Sequence, residues 1–316
     1  MVVPNDPSGV NHEPVLLDEV IQGVTKFPGG KAIDCTLGGG GHTKALLNLV
    51  YPSGKVLGLD ADPAAIHRVS QVYADEIGVG QLVLVQANFS LLDAVARERG
   101  FEAVDLILFD LGLSSFQLET SERGFSFRHD GPLDMRFDPG QDKTADEIIN
   151  TWSEKEIADL IYQFGEERRS RAIAKRIVAH RPIRSTLELA TVVSSAVPKT
   201  SKQRIHPATR TFQALRIAVN EELTQLQRAL TLSLPLLKTA GRIAVISFHS
   251  LEDRIVKQWM RKESQRYIRD DTHPLGGYER VATLDVLTRK PIVPNRDEVE
   301  RNPRSRSAKL RIAAKI

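Results

Sequence analysis

Asp34-Cys35-Thr36-Leu37-Gly38-Gly39-Gly40-Gly41-His42 joins a short apolar run, Ala32-Ile33-Asp34-Cys35, to a helical pattern, His42-Thr43-Lys44-Ala45-Leu46-Leu47. The order is strand, glycine loop, helix. Glycine admits positive φ and lets a ligand touch the backbone, and the helix start behind it presents unpaired N–H groups. A dinucleotide would need G-x-G-x-x-G, and that spacing fails. Counting from Gly38 the third glycine position is Thr43, and from Gly39 it is Lys44. A turn without a ligand could explain one glycine; it explains four at a strand–helix junction poorly.

Outward from the loop, strands and helices alternate. Lys55-Val56-Leu57-Gly58-Leu59-Asp60 is a second strand, and Asp60 lies 19 to 22 residues past the glycines, where a βαβ unit places a carboxylate for a ribose diol. Leu82–Val85 and Asp105–Asp110 read as a third and fourth strand, Arg242–Phe248 as a fifth. Near-continuous apolar strands separated by helices predict a mostly parallel sheet covered on both faces. The loop fits D-x-T-x-G-x-G through Asp34, Thr36, Gly38 and Gly40. It thereby resembles the first motif of S-adenosylmethionine-dependent methyltransferases, which implies an α/β, class I Rossmann-like fold and S-adenosyl-L-methionine as cofactor.

Roughly 130 residues separate the fourth and fifth strands, far more than one crossover helix needs. Helical patterns over 145–151, 154–163, 168–179 and 187–196 fill much of that gap without strand partners. They predict an all-helical insertion over residues 119–205, with 1–118 and 206–316 forming the catalytic domain. From near Ala208, the spacing of Phe212, Leu215, Val219, Leu223, Leu226 and Leu230 predicts one long amphipathic helix.

The 316 residues, 41% hydrophobic and 26% charged, describe a soluble globular chain of one large or two ordinary domains. No apolar run reaches the ~18 residues of a membrane span, and the first residues lack a basic-then-apolar signal region. A cytoplasmic protein without membrane attachment is expected. Cys35 is the only cysteine, so no intrachain disulfide forms. The net charge of +3 is unevenly spread. Arg168 to Arg184 hold six arginines and one lysine without an acid, and a second cluster runs from Arg289 to Arg311. A charge run is usually a solvated face; two such runs beside a ligand loop favour a polyanionic partner. Arg168, Arg171 and Lys175, on one helical face, are the expected docking surface for nucleic acid.

Asp34, Asp60 and Asp110 end adjacent parallel strands and converge on one crevice. Phe89, after the third strand, either walls off an adenine or is an ordinary core residue. Asp110 is the strongest chemical candidate, because burying a lone acid at a strand end is costly. The loop Asp110-Leu111-Gly112-Leu113-Ser114-Ser115 lacks the prolines and aromatic of the D/N-P-P-Y/F loop of many amino-methyltransferases. No H-E-x-x-H or multi-cysteine pattern is present, so no catalytic metal is expected.

The strings His12-Glu13-Pro14-Val15-Leu16-Leu17, Arg123-Gly124-Phe125-Ser126-Phe127, Asp130-Gly131-Pro132-Leu133-Asp134-Met135-Arg136, His206-Pro207-Ala208-Thr209-Arg210-Thr211-Phe212 and Ser247-Phe248-His249-Ser250-Leu251-Glu252-Asp253 complete the picture. With the glycine loop they resemble, in order and over nearly the whole chain, the bacterial small-subunit (16S) rRNA cytosine-N4 methyltransferase H family. That resemblance implies methylation of the exocyclic N4 of a specific cytidine in the decoding region. It implies that Gly40, Gly41 and His42 meet the cofactor's methionine end and that Asp110 and Gln117 complete the pocket. Phe116 and Glu119 depart from the family's usual proline and aspartate. Cytosine N4 is a weak nucleophile, so an acceptor for its hydrogen is needed. Asp110 is the leading acceptor, with His249 or Ser247 as a relay; a purely structural hydrogen bond is an equal reading of His249. Asp134 is expected to pair with Arg136, and His206 with Arg210, to shape a substrate channel. The partner is small-subunit rRNA; the oligomeric state, a homodimer included, stays open. Two other functions compete: a DNA cytosine-N4 methyltransferase, and a non-catalytic ribosome-assembly factor with a vestigial cofactor site.

Overall fold

Five apolar runs become the parallel strands β1 (Lys31–Asp34), β2 (Lys55–Asp60), β3 (Leu82–Gln86), β4 (Val104–Asp110) and β5 (Leu237–Ser247). The computed structural model describes residues 13–24, 26–197, 205–269 and 276–316. The motif residue His12 and the insertion residues 198–204 lie outside the described residues. Every residue of β4 except Asp110 is buried, as expected of a strand with helices on both faces. β6 (Tyr267–Arg269) and β7 (Gly277–Glu279) form a separate hairpin. β8 (Leu284–Val286) and β9 (Lys309–Lys315) complete a seven-stranded sheet of order β3-β2-β1-β4-β5-β9-β8, with β9 antiparallel to both its neighbours. This is the mostly parallel, Rossmann-like sheet expected of a class I methyltransferase.

The strands expected from the sequence stop at β5, and its last residues read as a basic tail suited to a polyanionic partner. Two of those cations are part of the sheet's packing instead. In β9, Arg311 Nε lies 2.7 Å from Asp253 Oδ1 and Lys309 Nζ 3.3 Å from Asp253 Oδ2. Charged residues interleaved with Leu310 and Ile312 disguise a strand whose polar side chains find a half-buried partner.

The chain divides into two compact units, one of residues 1–112 with 223–316 and one of residues 113–222. In the second, helices Ala145–Thr151, Glu154–Gly165, Ser170–Ala179, Thr186–Ala196 and Thr209–Asn220 surround a core that includes Ile148, Ile161, Ile173, Leu189 and Leu215. Capping explains several boundaries: Thr144, Ser153 and Ser185 each accept an N–H of the first turn. The single long helix expected from Ala208 to Leu230 is two helices, Thr209–Asn220 and Glu222–Leu236. Glu221 between them takes a left-handed conformation, φ 51°. The apolar period runs unbroken across that residue, but Phe212, Leu215 and Val219 serve the helical unit's core while Leu226 and Leu230 serve the sheet's.

Candidate active site

At the carboxyl edge of the sheet β1 lies between β2 and β4, the point where strand order reverses and a crevice opens. The acids predicted to meet there do so, but in unequal roles. Asp34 is fully buried; its Oδ2 accepts from Thr43 Oγ1 at 2.7 Å and its Oδ1 from Thr36 N at 3.2 Å. Burial pushes this carboxyl up, against the lowering effect of the Thr43 bond. Thr36 Oγ1 in turn accepts from Asp110 N at 2.6 Å. Asp34 and Thr36 therefore brace the loop and pin the end of β4. Thr36 and Thr43 were not singled out from the sequence, although Thr36 is the third letter of the loop motif.

Asp60 faces the loop with both oxygens, accepting from Gly38 N at 2.8 Å and from Asp62 N at 2.9 Å. Gly38 and Gly40 have φ of 50° and 79°. A Cβ on Gly40 would sit 3.0 Å from the Tyr73 ring, whose hydroxyl donates to Gly40 O at 3.1 Å. A Cβ on Gly41 would come within 2.4 Å of Pro14 Cγ. Close packing of the protein on its own loop thus accounts for these two glycines.

Pro14 belongs to a segment clamped over the helix Gly41–Val50 by distant residues. Leu16 N donates to the buried carboxylate of Glu298 at 2.8 Å, and Asn302 Nδ2 donates to Glu13 O at 3.1 Å. The N-terminal and C-terminal motifs are therefore one latch beside the glycine loop. Glu298→Ala leaves the Leu16 amide unpaired and should destabilise the protein by about 1–3 kcal/mol. Thermal unfolding measures that loss, and an unchanged midpoint would refute the latch.

Asp110 ends β4 beside Ile246 of β5. Its Oδ2 lies 3.5 Å from Nε2 of the buried His42, and its Oδ1 is buried with no hydrogen-bond partner among the described residues. Burial alone would depress the His42 imidazole, yet Asp110, then Asp34 and the Val15 backbone, carry it above its ordinary value. The His42–Asp110 contact had no signal in the sequence. Phe89 is half-buried and meets Phe109 edge-on, centroids 5.8 Å apart.

The two relay candidates are committed elsewhere. Ser247 Oγ donates to Lys309 O at 3.4 Å, across to β9. His249 caps the helix Ser250–Glu263: its Nδ1 accepts from Glu252 N at 3.4 Å, and Glu252 Oε2 accepts from Phe248 N at 2.8 Å. These bonds give His249 a structural role through Nδ1, while its Nε2 is buried without a hydrogen-bond partner among the described residues. Gln117 lies in the helical unit, where its Oε1 accepts from Ser114 N at 3.1 Å in a capping box.

The motifs of the helical unit also prove to be latches. Arg136 binds Asp134 with both Nε, 2.9 Å, and Nη2, 2.8 Å, as expected. Arg123 Nη2 donates to the Arg136 and Phe137 carbonyls at 2.8 and 2.9 Å. His206 does not pair with Arg210; it packs on Phe127, ring centroids 4.6 Å apart, while Arg210 reaches Glu167 at 3.4 Å.

Residues 9–316 match the profile of the MraW methylase family, and the chain belongs to that family. It is 48% identical over 305 residues to the ribosomal RNA small subunit methyltransferase H of Dehalococcoides mccartyi strain 195, covering 96% of this chain and 86% of that one. The protein of the same name from Thermomicrobium roseum is 49% identical over 314 residues, 98% of this chain and 95% of that one. That from Synechococcus elongatus is 48% identical over 316 residues, with coverages of 99% and 97%. Among the described residues no helix is long and apolar enough to cross a membrane.

Proposed function

We propose that the protein methylates the exocyclic N4 of one cytidine in the decoding region of small-subunit (16S) rRNA, in the cytoplasm, with S-adenosyl-L-methionine as donor. The observation that carries this reading is the unpartnered Asp110 Oδ1, a buried acceptor beside a glycine loop. Membership of the MraW methylase family and the names of the close relatives support it.

The residues fit the cofactor. The helix Gly41–Val50 receives no side-chain cap from Gly40, so the loop backbone is suited to the methionine end at Gly40, Gly41 and His42. Asp60 is placed for the ribose and Phe89 for the adenine, with Gln117 assigned to the pocket by family resemblance. When bound, S-adenosylmethionine supplies an electrophilic methyl group on a sulfonium. Asp110 would accept the N4 proton while the bound donor would supply the methyl group to the N4 lone pair. Holding N4–H on Oδ1 draws the lone pair out of conjugation, so positioning is the main contribution.

The helical unit is proposed to dock RNA. On the helix Ser170–Ala179, Arg171, Lys175 and Arg176 are exposed, as is Arg168 before it. Arg181 leaves the expected cluster, because its guanidinium donates to the Ile149 carbonyl at 2.6 Å and the Trp152 carbonyl at 2.5 Å. Reversing both Arg171 and Lys175 to glutamate should raise KM for small subunits by about tenfold or more and flatten its salt dependence by about two phosphate contacts. Affinity for S-adenosylhomocysteine should hold; an unchanged KM would place the RNA elsewhere. The whole reading is tested by transfer of labelled methyl to a cytidine in small subunits, with naked RNA, whole ribosomes and DNA alongside. No transfer to any RNA substrate would overturn it.

A further inference from the structure

We propose that His42 is the positioning residue for Asp110: its imidazole holds Oδ2 and so leaves Oδ1 as the oxygen that takes the N4 proton. The inference rests on the reading of Asp110 as acceptor.

A carboxylate at a strand end has two free torsions, and a proton acceptor must have both set. The backbone of Asp110 is already fixed, since its N–H is bound by Thr36 Oγ1 at 2.6 Å. What remains are the two side-chain torsions, which set the place and the plane of the carboxyl group. Only one side chain approaches it among the described contacts: His42 Nε2, 3.5 Å from Oδ2. The two side chains are 6% and 18% exposed, so water does little to compete for that oxygen. With one oxygen beside the imidazole, the other is directed away from it; Oδ1 is buried without a hydrogen-bond partner among the described residues, and at 3.5 Å His42 Nε2 is likewise unbonded.

The imidazole is itself held in place. His42 is the second residue of its helix, and Pro14 packs on Gly41 immediately before it. Asp34, at the end of β1, and Asp110, at the end of β4, are the charged groups that face the ring, and the Val15 backbone faces it too. Both ring nitrogens are buried without a hydrogen-bond partner among the described residues, and a ring carrying a proton on Nε2 has Oδ2 as the acceptor that faces it. The separation of 3.5 Å is longer than a finished hydrogen bond; such contacts tighten when the reacting group fills the site. In this arrangement His42 never receives the substrate proton. It sets the acceptor's direction.

A histidine kept merely for helix packing would predict a different pattern of mutant effects. In the full chain, with small subunits as substrate, His42→Leu should lower kcat by about 10- to 100-fold. Calorimetry should show that His42→Leu and His42→Gln bind S-adenosylhomocysteine alike, so that the difference in their rates is not one of donor binding. His42→Gln, which keeps a donor at comparable reach, should recover most of the rate, whereas His42→Asn, polar but too short, should not. The decisive comparison is the double variant. Combined with Asp110→Asn, His42→Leu should cost nothing further, because there is no acceptor left to orient. Additive losses in that cycle would overturn the proposal, as would equal rates for the Gln and Asn variants. Full turnover by Asp110→Asn alone would instead remove the acceptor reading itself, a distinct and recognisable failure.

Discussion

Asp110→Asn should lower kcat by about 100- to 10,000-fold, the range a general base supplies, while the protein still binds S-adenosylhomocysteine. The substitution keeps the size of the side chain and the backbone bond to Thr36 Oγ1, so the loop architecture should survive. What it removes is an ionised acceptor. An amide oxygen accepts a hydrogen bond weakly and cannot take the proton, and its NH2 group competes to face N4 as a donor. Asp110 Oδ1, buried without a partner among the described residues, is thus the group whose loss the chemistry should feel most. Single-turnover methyl transfer, set beside binding of S-adenosylhomocysteine, separates the alternatives. Equal losses in rate and affinity would make Asp110 a binding residue only.

What could be read before the structure, and what could not, divides along physical lines. Local signals carried the glycine loop, the first five strands and the positions of Asp60 and Asp110, because strand, turn and helix start each leave a mark within a few residues. Long-range pairings leave none. Leu16 meets Glu298 across nearly the whole chain, and nothing near either residue announces it. β9 was hidden because its cations are satisfied by Asp253 on another element. The continuous apolar period through Glu221 concealed a helix break, since the two halves face different cores while keeping the same spacing. The conserved-looking strings Asp134–Arg136 and His206–Arg210 suggested a channel from charge alone. In the structure their polar groups are largely spent on the protein's own carbonyls, acids and rings. Likewise Ser247 and His249 look reactive in sequence, yet their hydrogen bonds secure β9 and a helix start.

Asp60 should give cofactor binding a pH dependence. Burial pushes its carboxyl up from 3.8 to about 6, against the pull of the Asp62 and Gly38 amides. The folded chain therefore holds this proton to a higher pH than the unfolded chain does. The stability it confers is full below 3.8 and is lost as pH rises through about 6. Near neutrality the buried anion is a standing cost, and two ribose hydroxyls donating to it would offset that cost. Ligand binding should then draw the carboxyl back down and expel a proton near pH 6, so that affinity for S-adenosylhomocysteine rises by up to about tenfold between about pH 5 and about pH 7. Calorimetry in buffers of different ionisation heat should register the proton release near the lower pH and none at about pH 8. Asp60→Asn should flatten the profile and abolish the release; a release of undiminished size in that variant would assign the proton to another group of the site, such as Asp34 or His42. Asp60→Ala goes further, stripping the Gly38 and Asp62 amides of their acceptor as well as the ribose. Lost hydrogen bonds to a charged group cost about 1.5–3 kcal/mol each, so affinity should fall by about 100- to 10,000-fold. A flat wild-type profile, or an Ala variant that binds normally, would mean that Asp60 shapes the loop and never meets the ligand.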